Sequence, residues 1–140
     1  SKGKSVPLVE GSMSLKVRKT KTMGRGVFTT EDIKRGRVVE TCPCIVWDRQ
    51  DEWQIQSTLL RFYVFEGKVF SDASVLALGF GSLYNHSGKP NATYKYDPKK
   101  RVMTIRAIKN IKAGEQIFIN YGYDPLRTFQ QWEESRARAQ

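Results

Sequence analysis

One hundred and forty residues are the length of one domain, so any cofactor site and any substrate site must share a single core. A hydrophobic fraction of 39% with 16 aromatic residues (3 Trp, 6 Tyr, 7 Phe) argues for a folded chain and against a disordered tail. Nothing approaches the run of about 20 apolar residues that a membrane span needs, and the formal charge of +10 is scattered along the chain, so nucleic acid is expected only as an incidental partner.

Residues 1–12, ending Glu10-Gly11-Ser12 before Met13, read as an added tail ahead of a native start and are set aside. They lack the apolar middle of a signal peptide, and the expectation is an intracellular protein. It would be nuclear in a eukaryotic host and cytoplasmic otherwise. Leu15 to Arg18 alternates apolar and basic residues, which suits a half-exposed strand. Val27-Phe28 and Val38 to Val46 are further β-rich runs, separated by the turn Lys34-Arg35-Gly36. Asp51 to Leu60 predicts a helix. Phe62 to Phe65 and Val69-Phe70 flank Glu66-Gly67 and predict a hairpin, and Ser74 to Leu78 predicts a second short helix. Ala92 to Tyr96 and Val102 to Ile105 flank Asp97-Pro98 as another hairpin, Ile117 to Ile119 is the last strand, and Thr128 to Ala139 is a terminal helix. The expected fold is mainly β, built of short strands, with few helices.

Cys42 and Cys44 are separated only by Pro43, so a disulfide between them would be strained. Two thiols and one histidine fall short of the four ligands of a structural zinc site, and no metal is expected. Both cysteines read as small buried residues. One stretch runs against the basic background. Trp47 to Val75 carries five acids and three bases, net −2, which leaves +12 for the remainder. It is either a docking surface for a basic ligand or a solvated loop.

The chemistry concentrates in three motifs. Gly24-Arg25-Gly26 precedes Val27-Phe28, and glycines there permit either a tight turn or close approach of backbone to a ligand. Asn85-His86-Ser87 is followed by Pro90-Asn91, and a late strand ends Asn120-Tyr121-Gly122-Tyr123. Alone, His86 could be an ordinary core histidine, and Tyr121 and Tyr123 a packing pair on one strand face. Together and in this order, these segments resemble the SET-domain family over roughly Leu15 to Asp124. Compactness and the run Thr41 to Val46 look most like the minimal SET proteins of large algal viruses and bacteria.

The resemblance implies a SET-domain fold of small twisted sheets around a knot-like crossing, with short helices and a C-terminal helix. It divides the chain into a SET domain at 13–126, containing a substrate-groove segment at 47–75, and a C-terminal helical segment at 127–140. It further implies methyl transfer from S-adenosylmethionine to a lysine of a basic protein or peptide such as a histone-like tail. Gly24, Arg25 and Gly26 would face the methionine end of the cofactor, and Asn85 and His86 its amino-acid end and adenine edge. Tyr121 would stand at the transfer point as catalytic residue and cofactor contact. Tyr63, Tyr94 and Tyr123 would line the lysine channel, Tyr94 where some members hydrogen-bond the lysine nitrogen. Ile119 takes a position where other members carry a phenylalanine or tyrosine switch. The Cys-rich regions that flank many SET domains are missing, so the C-terminal helix is the candidate to close the cofactor pocket, with Trp132 stacking on adenine. Packing of that helix against a second copy, as a homodimer, is the competing role. An inactive SET-fold binding module and a basic nucleic-acid-binding protein are the rival readings.

Overall fold

The structure, a computed structural model, describes residues 13–66, 74–123 and 125–139. Its strands are mostly short and lie in three sheets, joined by short helical segments and followed by a terminal helix. β1 (Leu15–Lys19) and β2 (Arg25–Thr29) form an antiparallel hairpin in which Val17 opposes Val27. Period-2 alternation does the work: Leu15 and Val17 turn inward while Lys16 and Arg18 stay in water.

β3 (Val38–Val46) is the centre of a five-stranded sheet completed by β4 (Phe65–Glu66), β5 (Ser74–Ala77), β7 (Ala92–Asp97) and β8 (Val102–Ala107), in the order β4-β5-β3-β8-β7. Its first half pairs with β8 and its last three residues with β5. Pro43, which has no N–H to give a ladder, sits at the changeover. A register shift between Val38 and Glu40 breaks strict alternation, so the consecutive residues Val39 and Glu40 are both buried. That irregularity turns a carboxylate into the core.

β6 (Asn85–His86) and β9 (Phe118–Ile119) form a parallel two-residue ladder, Asn85 opposite Phe118 and His86 opposite Ile119. Asn91 secures the crossing from its other side. Its side chain donates to the Gln116 carbonyl at 2.9 Å and accepts from the Phe118 N–H at 2.8 Å. Ile105, Ile111, Ile117 and Ile119 fill the core that these sheets enclose.

α1 (Arg49–Gln56) is capped by Asp48, whose carboxylate accepts the Asp51 N–H at 3.1 Å, and a 3-10 turn, Leu59–Phe62, follows. The terminal helix α2 spans Pro125–Ala139, three residues earlier at its start than the sequence pattern suggested. Ser74 to Leu78 is a correction: it forms strand β5, with Ser74, Val75 and Ala77 buried between β3 and β4. A four-residue apolar run has no period of its own, and pairing with neighbours on both sides decides it. The hairpin expected around Glu66-Gly67 is corrected in its first arm: Phe62 ends the 3-10 turn, and of Phe62 to Phe65 only Phe65 pairs, with Val75 of β5, while Val69-Phe70 lie outside the described residues.

Candidate active site

A pocket opens between the five-stranded sheet and the β6–β9 crossing. It is lined by Tyr63, Tyr84, Tyr94, Tyr121 and Tyr123, with Phe62, Phe65, Gly81 and Ser82 among the remaining contacts. Five of the chain's six tyrosines thus converge on one cavity. All three residues expected to line a lysine channel are in it. Tyr94 packs on Phe65 with ring centroids 4.7 Å apart, and Tyr123 lies 5.7 Å from Tyr121. Ile119 does not reach the cavity; it is fully buried in the core.

Tyr121 is held from two directions. Its backbone N–H donates to His86 Nδ1 at 2.9 Å, and its hydroxyl donates to the backbone carbonyl of Tyr84. Burial raises its pKa well beyond the ordinary phenol range, with the neighbouring Tyr123 and Tyr63 hydroxyls adding to the effect. The hydroxyl therefore stays protonated and neutral at any working pH. Since Nδ1 accepts, the proton of a neutral His86 resides on Nε2, which is left as a donor.

Behind Tyr84 lies a buried carboxylate that sequence reasoning did not single out. Glu40 accepts from the Tyr84 hydroxyl at 2.7 Å with one oxygen and from the Phe80 N–H at 3.0 Å with the other. A glutamate in a β-run gives no signal of this kind; only the register shift in β3 aims it inward. Glu40 thus locks Tyr84, and the Tyr84 carbonyl receives the Tyr121 hydroxyl. Burial, with the Glu40 charge adding, raises the Tyr84 pKa and also that of the adjacent Cys42 thiol. Cys42 is fully buried and Cys44 half-buried, its thiol pushed up to about 11 by burial.

The three N-terminal motif residues join the crossing through Asn85. Its amide nitrogen donates to the Arg25 carbonyl and to Gln116 Oε1, both at 2.9 Å. Gln116 is a second residue that the motifs did not reveal, although it lies one position before the late strand. The two glycines divide the tasks foreseen for them. Gly24 takes φ +66°, a turn conformation that a side chain resists, with open space where its Cβ would be. Gly26 is instead a close-approach glycine: a Cβ there would collide with Gln116 Oε1 and come within 2.8 Å of Asn85 Nδ2.

The outer rim is aromatic and helical. Phe62 packs edge-on against both Phe129 and Trp132 of α2, each with centroids 5.1 Å apart. Trp132 therefore reaches the channel wall through Phe62, and the Arg136 guanidinium lies 4.7 Å from its ring centroid. The acidic segment is partly spent on structure. Asp48 caps α1, and Glu52 accepts from Trp47 Nε1 at 2.9 Å, Gln56 at 2.8 Å and the Ser74 hydroxyl at 2.7 Å. Of Asp48, Asp51 and Glu52, Asp51 alone presents an exposed side chain with no such task.

The sequence matches the SET domain over residues 24–122. The Schizosaccharomyces pombe histone-lysine N-methyltransferase specific for H3 lysine-37 is 34% identical over 110 residues, 77% of this chain and 73% of that protein. Among solved structures, a Plasmodium falciparum protein assigned as a histone methyltransferase superposes with a TM-score of 0.63 at 30% identity, covering 81% of this chain and 96% of that one. ctPRC2 bound to S-adenosylmethionine in an autoinhibited conformation gives a TM-score of 0.64 at 20% identity, over 86% of this chain and 17% of that one, a likeness of fold alone. A tyrosine-lined cavity at a parallel crossing, the Asn-His and Asn-Tyr motifs that build it, and these relatives together place the chain in the SET-domain family as a protein-lysine methyltransferase.

Proposed function

We propose that the chain transfers a methyl group from S-adenosylmethionine to a lysine of a basic protein tail, histone-like tails included. The observation that carries this reading is the cavity of five tyrosines with the Tyr121 hydroxyl fastened at its inner end. The named histone-lysine methyltransferase relative supports the substrate class.

A lysine ammonium has no lone pair to attack with, and holding it neutral near pH 7.5 against a pKa near 10.4 costs roughly 4 kcal/mol. Desolvation between Tyr63, Tyr94, Tyr121 and Tyr123 lowers that cost, because burial disfavours the charged amine. The proton leaves toward water past Tyr63, which is 36% exposed at the rim. The aromatic walls hold the aliphatic stem and favour the cationic product. When bound, S-adenosylmethionine supplies the methyl group and a positively charged sulfur as leaving group. Tyr121 contributes a neutral phenol oxygen at a fixed position, and the walls align the nitrogen for in-line displacement.

The polar groups at the crossing suit the cofactor's amino-acid end. With both Asn85 amide protons used internally, its Oδ1 remains an acceptor for an ammonium, and His86 Nε2 remains a donor. Gly24 and Arg25 would offer backbone beside them, and Gly26 lets Asn85 approach. Trp132 enters as a brace of the channel wall; an adenine ring would have to compete with Arg136 for its face. The test is incubation with methyl-labelled S-adenosylmethionine and mixed histones, followed by mass spectrometry. Label on lysine side chains is expected. Cofactor binding with no label on any basic protein would favour a binding module with the same fold.

A further inference from the structure

Two segments far apart in sequence are laced into one surface at the end of β8 away from its hairpin turn. Ile33 and Ile111 exchange backbone hydrogen bonds at 2.7 and 2.8 Å, the Gly36 N–H donates to the Ala107 carbonyl at 2.8 Å, and the Ala107 N–H donates to Arg37 at 2.9 Å. The Arg35 N–H donates to Asn110 Oδ1 at 2.9 Å, and the Arg106 guanidinium to the Gly36 carbonyl at 2.8 Å.

These bonds bring together Lys34, Arg35, Arg37, Arg106, Lys109 and Lys112, all exposed. The one carboxylate within residues 32–37 and 106–112 is Asp32, already accepting the Ala113 N–H at 2.9 Å. The thirteen residues carry a net +5, half of the chain's +10. Gathering like charges raises the energy of the folded state unless an opposite charge is met, and a regular polyanion meets it with release of its counterions. We propose that this face binds duplex nucleic acid through its phosphate backbone.

The chemistry of the surface selects among polyanions. No aromatic residue occurs in either segment, so there is no ring on which the unpaired bases of a single strand could stack. Ile33 and Ile111 are buried, and Ile108, 36% exposed, is too little apolar surface to enter a lipid layer. Sequence-independent phosphate contact is what lysines and arginines on two turns can make. None of the thirteen residues lines the tyrosine cavity, so the duplex and a peptide can be held together. The inference stands whether or not the methylated protein is a histone.

The test is fluorescence anisotropy with a mixed-sequence DNA duplex of about 20 base pairs, titrated at several salt concentrations. The triple variant Lys34→Gln, Lys109→Gln, Lys112→Gln is compared with Lys95→Gln, Lys99→Gln, Lys100→Gln, which removes the same charge from the β7–β8 hairpin. Each lost phosphate contact flattens the dependence of log K on log salt by about 0.9, so the first variant should lose a slope of about 2–3 and bind at least tenfold more weakly at low salt. The hairpin variant should change little. Equal losses in the two would reduce the effect to net charge and overturn the proposal. So would wild-type protein that ignores the duplex and binds oligo-dT or phosphatidylserine vesicles. Methylation of a short basic peptide by the patch variant, expected at wild-type rate, reports its folding; if that falls, Lys109→Gln alone should still flatten the slope by about 1, and an unchanged slope would overturn the proposal.

Discussion

The inner wall of the channel stands on paired strands and a buried carboxylate, whereas the outer wall stands on a 3-10 turn braced by a helix. Tyr84 is 1% exposed, bonded to Glu40, and followed directly by β6. Tyr121 hangs from His86 and from the Tyr84 carbonyl. Opposite them, Phe62 ends the 3-10 turn and Tyr63 follows it; neither that turn nor α1 has a buried residue, and α2 packs the rings of Phe129 and Trp132 against Phe62. On the proposed function, the groups that would hold the reacting atoms to a fraction of an ångström sit where hydrogen bonds and the core over-determine them. The wall that would admit a peptide on that reading is held by contacts that yield more easily.

The largest expected effect is on the inner wall. Tyr121→Phe removes one hydroxyl and its bond to Tyr84, and kcat should fall about 100-fold, the scale of losing a fixed positioning oxygen at the transfer point. Calorimetric titration with S-adenosylmethionine and a melting curve should move little. Wild-type turnover would detach Tyr121 from the chemistry.

Next comes the support behind it. Glu40→Ala strands the buried Tyr84 hydroxyl, whose loss of partner costs about 1–3 kcal/mol, and the part-buried Phe80 N–H. Melting should drop by several degrees and kcat by about tenfold. Glu40→Gln, which keeps an acceptor for Tyr84, should recover most of the kcat. A Gln variant as slow as the Ala variant at equal stability would show that charge, not position, is what Glu40 contributes.

Alkaline titration tests how dry the inner wall is. Tyr84, Tyr121, Cys42 and Cys44 all have raised folded-state pKa values, chiefly from burial. The unfolded chain releases these protons first, near 9.0 for the thiols and 10.0 for the phenols, while the folded chain keeps them. Their stabilisation is thus full below pH 9 and falls as pH rises above it. Melting temperature should decline by several degrees between pH 9 and 11 and by less in Cys42→Ala. A flat profile across that window would mean that water reaches these groups.

On the outer wall the effects shrink. Phe62→Ala removes the ring that joins Phe129 and Trp132, so KM for a basic peptide should rise about 3–10-fold with kcat nearly kept, and Trp132 emission should shift red. A kcat loss as large as that of Glu40→Ala would erase the distinction between the walls. The smallest effect belongs to Asp51→Asn. An exposed charge pair is worth about 0.2–1 kcal/mol, so KM should rise about twofold at low salt and not at high salt. Asp48→Ala and Glu52→Ala should act on melting instead, through the helix cap and the bonds to Trp47 and Ser74.

The placement of the motifs was readable from the chain because it depends on local constraints. The turn at Gly24 needs a residue that accepts positive φ, and the Asn-His and Asn-Tyr pairs must sit at the ends of two strands that meet. The β1–β2 and β7–β8 hairpins follow from alternation and turn residues in the same local way. Long-range contacts decided the rest. Ser74 to Ala77 became a strand because β3 and β4 flank it, and Glu40 became a buried anchor because a register shift turned it inward. Gln116 gained its role by lying against Gly26 and Asn85, and scattered cations became one patch because residues 33–37 bond to 106–111. Local propensity acts over a few residues, while burial and charge density depend on which distant segments share a volume, and that is set only when the chain closes on itself.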